Sequence, residues 1–218
     1  MIRKVVGIHF SPAGVAAGMT DRLAKQLSEI LNSCSAETVT TETYELLELN
    51  DESVVLDDEA VAVIGMPVYV GKVPLPAISA LENIRANGTM AVVVVSYGAR
   101  TYGNALYELQ HYAEELGFRI IGAGAFTARY RRHGAGSSGY QYTGDRESLE
   151  QFGKAAAAKI ARLGGSEIKS LRVKPAPLEV AGRLPIHRIS RISPKAAAAA
   201  QGILERLAVR RRASEWFL

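Results

Sequence analysis

The chain has 218 residues, a formal net charge of +4, 48% hydrophobic and 22% charged residues, and one cysteine. That balance excludes wholesale disorder and is long enough for one well-buried α/β core with an appendage, or for two small domains. Cys34, standing alone, excludes an internal disulfide, a thiolate zinc site and an iron–sulfur cluster.

The N-terminal "MIRKVVGIHF" is basic and then apolar, but its apolar run is too short for a signal peptide and breaks at Ser11-Pro12. It reads as a strand, "KVVGIHF" (4–10). Met19, Leu23, Leu27, Ile30 and Leu31 then share one face of a first helix. "ETVTTETYEL" (37–46) alternates and is Thr-rich, the pattern of an edge strand. "AVAVIGMP" (60–67) is a second continuous apolar strand, and Ile78, Leu81 and Ile84 mark a second helix. "MAVVVVSYG" (90–98) is followed by a third helix on Leu106, Leu109, Tyr112, Ala113 and Leu116, ended by Gly117. "RIIGAGAF" (119–126) is the last strand of the set. A helix over "SLEQFGKAAAAKIARL" closes the unit, with Asp145 or Ser148 as its cap. Residues 166–195 are rich in Pro and Arg without a period. "SPKAAAAAQGILERLAVRRR" predicts a terminal helix capped by Ser193, with Pro194 at its first position. Two units follow: residues 1–165 and a C-terminal extension, 166–218. The extension holds eleven Lys/Arg against four Asp/Glu, a net of +7 against +4 for the whole chain, so residues 1–165 carry −3. A solvated tail is the plain reading of that charge, and nucleic acid is not expected as a partner. With no apolar segment near the roughly 18–20 residues that span a bilayer, a cytoplasmic location is expected.

Continuous apolar strands are covered on both faces, as in parallel sheets. The order β-α-β-β-α-β-α-β-α therefore predicts an α/β fold, a three-layer doubly wound sheet of five parallel strands in the order 2-1-3-4-5. Such sheets bind ligands beyond the carboxyl ends of their strands, at the switch point. That places the loops "SPAGVAA", "MPVYVGKVPLP" and "SYGARTYGNAL" together at one crevice. The first enters a helix, where backbone N–H groups and the helix dipole hold a phosphate. Four scattered histidines show no metal-ligand spacing, and His9 reads as a packed strand-end histidine. "GAGSSG" (134–139) does not directly follow a strand and is not a dinucleotide loop.

"FSPAG", "GMPVYVGKVPLPA" and "VVSYGARTYGNALYELQHYAEELGFRIIGAGAF" resemble the flavodoxin domain of a family of flavodoxin–ferredoxin fusion proteins, over roughly residues 3–163. The resemblance implies a flavodoxin-like fold, noncovalent FMN, and one- or two-electron transfer with a ferredoxin-like or reductase partner. Carried onto this sequence, it implies a phosphate loop of Ser11, Ala13, Gly14, Val15 and Ala16. A second loop of Pro67, Val68, Tyr69 and Gly71 would place Tyr69 against one face of the isoalloxazine. A third, of Tyr97, Gly98, Ala99, Arg100 and Tyr102, would crowd the other side, with Arg100 stabilising the reduced anionic flavin if it lies near N1 and O2.

The departures are equally specific. The family's phosphate loop reads Ser-x-Thr-Gly-(Asn or Thr)-Thr, whereas Ala13, Val15 and Ala16 carry no hydroxyl or amide. Each such bond to a charged group is worth about 1.5–3 kcal/mol, so FMN affinity is expected to fall. A gapped register would bring Thr20 to the helix start; the ungapped one keeps Met19, Leu23 and Leu27 on the helix face and is preferred. Nothing after Cys34 can ligate a cluster, so this sequence is expected to be a single-domain relative or one that has lost the ferredoxin module. "ARYRRHGAGSSGYQYTGD" (128–145) is longer and more basic than expected, an exposed insertion, a lid over the flavin or a partner-docking loop. Three functions follow: an FMN-binding electron carrier, an NAD(P)H-dependent FMN reductase, or a degenerate flavodoxin-fold binding module with weak or no FMN.

Overall fold

Residues Ala60–Pro67 and Met90–Tyr97 are buried at all eight of their positions, which requires a helical layer on each side of the sheet. The structure, a computed structural model, describes residues 1–35, 37–49, 53–98, 101–128, 130–132, 140–142, 145–163, 180 and 215–218. In chain order the elements are β1 (Lys4–His9), α1 (Val15–Cys34), β2 (Thr40–Glu45), β3 (Val54–Leu56), β4 (Ala60–Pro67), α2 (Leu75–Leu81) and β5 (Ile84–Ala86). There follow β6 (Met90–Tyr97), α3 (Ala105–Glu115), β7 (Arg119–Thr127), β8 (Tyr130–Arg132), β9 (Tyr140–Tyr142), α4 (Arg146–Leu163) and β10 (Glu215–Phe217).

The main sheet has the order β10-β7-β6-β4-β1-β2. Its five parallel strands, β2-β1-β4-β6-β7, reproduce the expected 2-1-3-4-5 arrangement. Side-chain alternation divides the interior in two. Val93 and Val95 face α2 and α3, while Val92 and Val94 face α1 and α4. On α1, Met19, Leu23, Leu27 and Leu31 are buried, with Ile30 at the margin of the stripe. Asp145, not Ser148, caps α4: its carboxylate accepts the Ser148 N–H at 3.0 Å and the Ser148 hydroxyl at 2.8 Å.

Besides the short strands β3, β8 and β9, two elements differ from the sequence reading. Ile84 does not extend α2. It starts β5, which pairs in parallel with β3, because Ile78, Leu81 and Ile84 have a spacing that a helix followed by a turn and a strand also satisfies. The other is β10, antiparallel on the outer edge of β7. Trp216 stands edge-on to Phe152 at 6.1 Å, and Val180 is buried on the α2/α3 face, so parts of the C-terminal extension pack on the first unit. The helix expected from Ser193 lies outside the described residues. Of the 128–145 segment, β8 and β9 form an antiparallel hairpin, and β9 packs against α1. No described helix is long and apolar enough to cross a membrane.

Candidate functional site

The turn between β1 and α1 is built from backbone. The Gly14 N–H donates to the Ser11 carbonyl at 2.9 Å, and Gly14 sits at φ 75°, the left-handed region open to glycine. The first helical bond runs from the Gly18 N–H to the Gly14 carbonyl. The Ala17 N–H is taken by the Ser11 hydroxyl oxygen at 2.9 Å, which keeps its own O–H as a further donor. The N–H groups of Val15 and Ala16 have no acceptor among the described residues, while their side chains are buried in the α1/α4 core. Helix geometry aims those two N–H groups past the N-terminus of a 20-residue helix, where the dipole favours an anion. Ala13 is half-buried in the turn and supplies only backbone.

Thr20 is not part of this site. The helix already begins at Val15, and Thr20 is fully buried with its hydroxyl over Gly65, where a Cβ would overlap it. The gapped register is thereby overturned, because Thr20 turns toward the sheet rather than the helix start.

The second and third loops are tied to each other. Beyond Pro67, the Val68 N–H donates to the Ser96 carbonyl at 3.0 Å. Tyr69 and Lys72 exchange both backbone hydrogen bonds, at 2.9 and 3.0 Å, closing a two-residue turn with Val70 at φ 51° and Gly71 at φ 75°. Positive φ at both central residues is the type I′ pattern. The Gly71 carbonyl accepts the Asn104 N–H at 2.8 Å, and a Cβ on Gly103 (φ 57°) would stand 2.5 Å from that oxygen. Buried Glu108 on α3 accepts the Val73 N–H at 3.0 Å. The tip is therefore held by α3 and its entry loop, with half-buried Tyr69 presented beside exposed Val70.

Tyr97 differs from its expected place. Alternation on β6 sends its ring into the α2/α3 core with Val93 and Val95, edge-on to Tyr102 at 5.5 Å. What Tyr97 can offer a ligand is its backbone. Gly98 and Tyr102 are half-buried at the mouth of the same loop, and Ala99 and Arg100 lie outside the described residues.

Several residues at this end of the sheet escaped the sequence reading. Ser96, which alternates onto the α1/α4 face, keeps a buried hydroxyl with no partner among the described residues; a lone serine ending "VVVVS" was its signal. Glu45, the last residue of β2, accepts the N–H groups of Ser11 at 3.4 Å and Leu47 at 3.3 Å. His9 is packed, as expected, but between carboxylates: Nδ1 lies 2.8 Å from Glu45 Oε2 and Nε2 3.8 Å from Asp21 Oδ1. Nδ1 makes no hydrogen bond of good geometry among the described residues.

No protein-family model and no curated protein matches the sequence. Among solved structures the chain is similar to an oxidoreductase from Corynebacterium diphtheriae, at 12% identity and a TM-score of 0.51, over 74% of this chain and 96% of that one. It is also similar to a flavodoxin from Streptococcus pneumoniae TIGR4 (15% identity, TM-score 0.46, 72% and 99% covered). A third is an FMN-dependent NADH-azoreductase from Bacillus anthracis in complex with FMN (14%, 0.44, 74% and 99%). At such identities the likeness concerns architecture, and the strand order together with the first of these structures gives the chain a flavodoxin-like α/β fold.

Proposed function

We propose that the protein binds FMN at the carboxyl ends of β1, β4 and β6 and serves as an electron carrier to a redox partner protein. One observation carries this reading: two N–H groups, of Val15 and Ala16, without an acceptor among the described residues, beside the Ser11 hydroxyl at the start of a long helix, in the crevice that the strand order selects. Those donors fit a phosphate. When bound, FMN supplies reversible one- or two-electron chemistry. The residues of this chain bind and orient it. Val15, Ala16 and Ser11 hold the phosphate end, and Tyr69, on its pinned turn, covers one face of the ring system. The backbone around Gly98, with Tyr102, lies toward the other face. Arg100, if it reaches N1 and O2, stabilises negative charge there.

The loss of hydroxyls at Ala13, Val15 and Ala16 argues for weak FMN binding rather than none, because the backbone donors do not depend on side-chain identity. Titration of FMN with the purified protein, followed by flavin fluorescence, is expected to show saturable quenching. Absence of quenching at tens of micromolar protein refutes the reading and leaves the fold as a binding module without flavin. Steady NAD(P)H oxidation by the FMN-loaded protein, with no partner added, would make it a reductase instead of a carrier.

A further inference from the structure

We propose that Glu108 is the positioning residue for the ring half of the flavin site: through the Val73 N–H it fixes the turn that presents Tyr69, and so sets how that side chain meets the ring. The inference rests on the FMN reading and adds to it a buried side chain that acts at one remove from the ligand.

The turn needs an outside hold. It is closed by two residues, and an isolated hairpin is marginal in water. Val70 stands exposed at φ 51°, so the tip carries backbone strain and buries little to offset it. A strained conformation persists where its surroundings over-determine it. Three backbone groups in and beside the turn are fixed from outside. The Val68 N–H donates to the Ser96 carbonyl at 3.0 Å, the Asn104 N–H to the Gly71 carbonyl at 2.8 Å, and the Val73 N–H to Glu108 Oε2 at 3.0 Å. The first two ties run main chain to main chain. The third is made by a side chain 35 residues away in sequence, and it alone of the three depends on residue identity.

Glu108 is placed for that role. It lies in the first turn of α3, where the helix dipole favours a carboxylate, and is 1% exposed. A carboxylate acceptor makes a shorter and stronger bond to an N–H than a neutral carbonyl does. The same end of α3 carries the third loop. Gly103 and Asn104, entering the helix, meet Gly71 backbone to backbone: a Cβ on Gly103 would stand 2.6 Å from the Gly71 Cα. Tyr102 precedes them at the mouth of that loop. Tyr69 and Tyr102 therefore both take their positions from the N-terminal end of α3. Their spacing is a property of one helix rather than of two independent loops, and walls preset in this way leave less to be ordered when a planar ring enters.

The test is a double-mutant cycle on flavin binding. FMN and riboflavin are titrated by fluorescence into wild type, Glu108→Met, Tyr69→Leu and the double variant. Riboflavin lacks the phosphate, so a change confined to the ring half moves both Kd values by the same factor. Glu108→Met removes the acceptor at similar volume and is expected to raise both Kd values about fivefold. Tyr69→Leu is expected to raise both roughly tenfold. Added to Tyr69→Leu, Glu108→Met costs less than about a further twofold, because its effect passes through Tyr69. Two readouts separate positioning from loss of stability. At saturating FMN, the visible circular dichroism and residual fluorescence of the bound flavin change in Glu108→Met, whereas a destabilised but correctly positioned site returns the wild-type signals. Glu108→Gln, which keeps an acceptor oxygen, recovers most of the affinity and the signals. Where Glu108→Met does not fold, Glu108→Asp, one methylene shorter, takes its place in the cycle. The inference is overturned if the folded variant binds both flavins as wild type does, if its loss adds in full to that of Tyr69→Leu, or if Glu108→Gln loses as much as Glu108→Met. Each of these leaves the FMN reading standing. Failure of wild type to bind either flavin refutes that reading and this inference with it.

Discussion

Replacing Val70 with asparagine exchanges a β-branched residue at φ 51° for one that tolerates the left-handed region by bonding to its own backbone. That conformation costs an L-residue about 1–2 kcal/mol, with β-branched residues at the upper end. Little burial is forfeited in return. Val70 is 84% exposed, and full burial of a valine side chain is worth about 1.5–2 kcal/mol, so truncation loses roughly 0.3 kcal/mol. The variant turn, Tyr69-Asn-Gly71-Lys72, is the Asn-Gly pair preferred in type I′ hairpins. The net expectation is a gain of about 1 kcal/mol, or roughly 2–4 °C in Tm for a chain of this size. Val70→Gly relieves the same strain but loosens the unfolded chain by about 0.5–1 kcal/mol, so it falls between wild type and Val70→Asn. Val70→Thr, still β-branched, stays near wild type. Thermal and urea unfolding, each checked for coincident transitions by two probes, measure the series. If Val70→Asn is no more stable than wild type while Val70→Thr is unchanged, Val70 is not strained and the reasoning fails.

Thr20→Val replaces a fully buried hydroxyl that has no partner among the described residues with a methyl of similar size, and is expected to stabilise the protein by about 1 kcal/mol with flavin affinity unchanged; a large loss of affinity in a folded variant would restore Thr20 as a ligand. Gly103→Ala forces a Cβ to 2.5 Å from the Gly71 oxygen at a positive φ. It is expected to cost about 2 kcal/mol or more and to weaken flavin at least roughly tenfold, read by unfolding and fluorescence titration. Lys159, buried on α4, has its pKa lowered by burial and then by Arg162. The folded state therefore binds its proton less well than the unfolded state, and the destabilisation is fully present at neutral pH. It fades as pH rises through the lowered value toward 10.5. Lys159→Met is expected to raise Tm at pH 7, with the difference from wild type shrinking toward pH 10.

The five parallel strands were legible because runs such as "MAVVVVSYG" leave one explanation, burial on both faces, and the order of intervening helices then restricts the topology. Tyr97 was misplaced because an aromatic beside a Gly-rich loop suggests a ligand wall. Its parity with Val93 and Val95 already pointed to the core. The tie between Gly71 and Gly103 was hidden for a different reason. Each glycine is visible in the sequence, but their mutual fit exists only once α3 places the two loops backbone to backbone. β10 was illegible because three residues, "EWF", carry no period, and pairing with β7 is decided by the edge they meet. His9 was rightly read as packed, while the carboxylates around it come from β2 and α1, elements far apart in sequence.

α4 ends at Leu163, and β10 (Glu215–Phe217) returns to the same sheet along the outer edge of β7. A cut in the chain between them would leave the β10 segment held by its own pairing with β7 and by the Trp216–Phe152 contact. Loss of the Trp216 contact with Phe152 would weaken that return and uncover the outer edge of β7 to pairing with another strand.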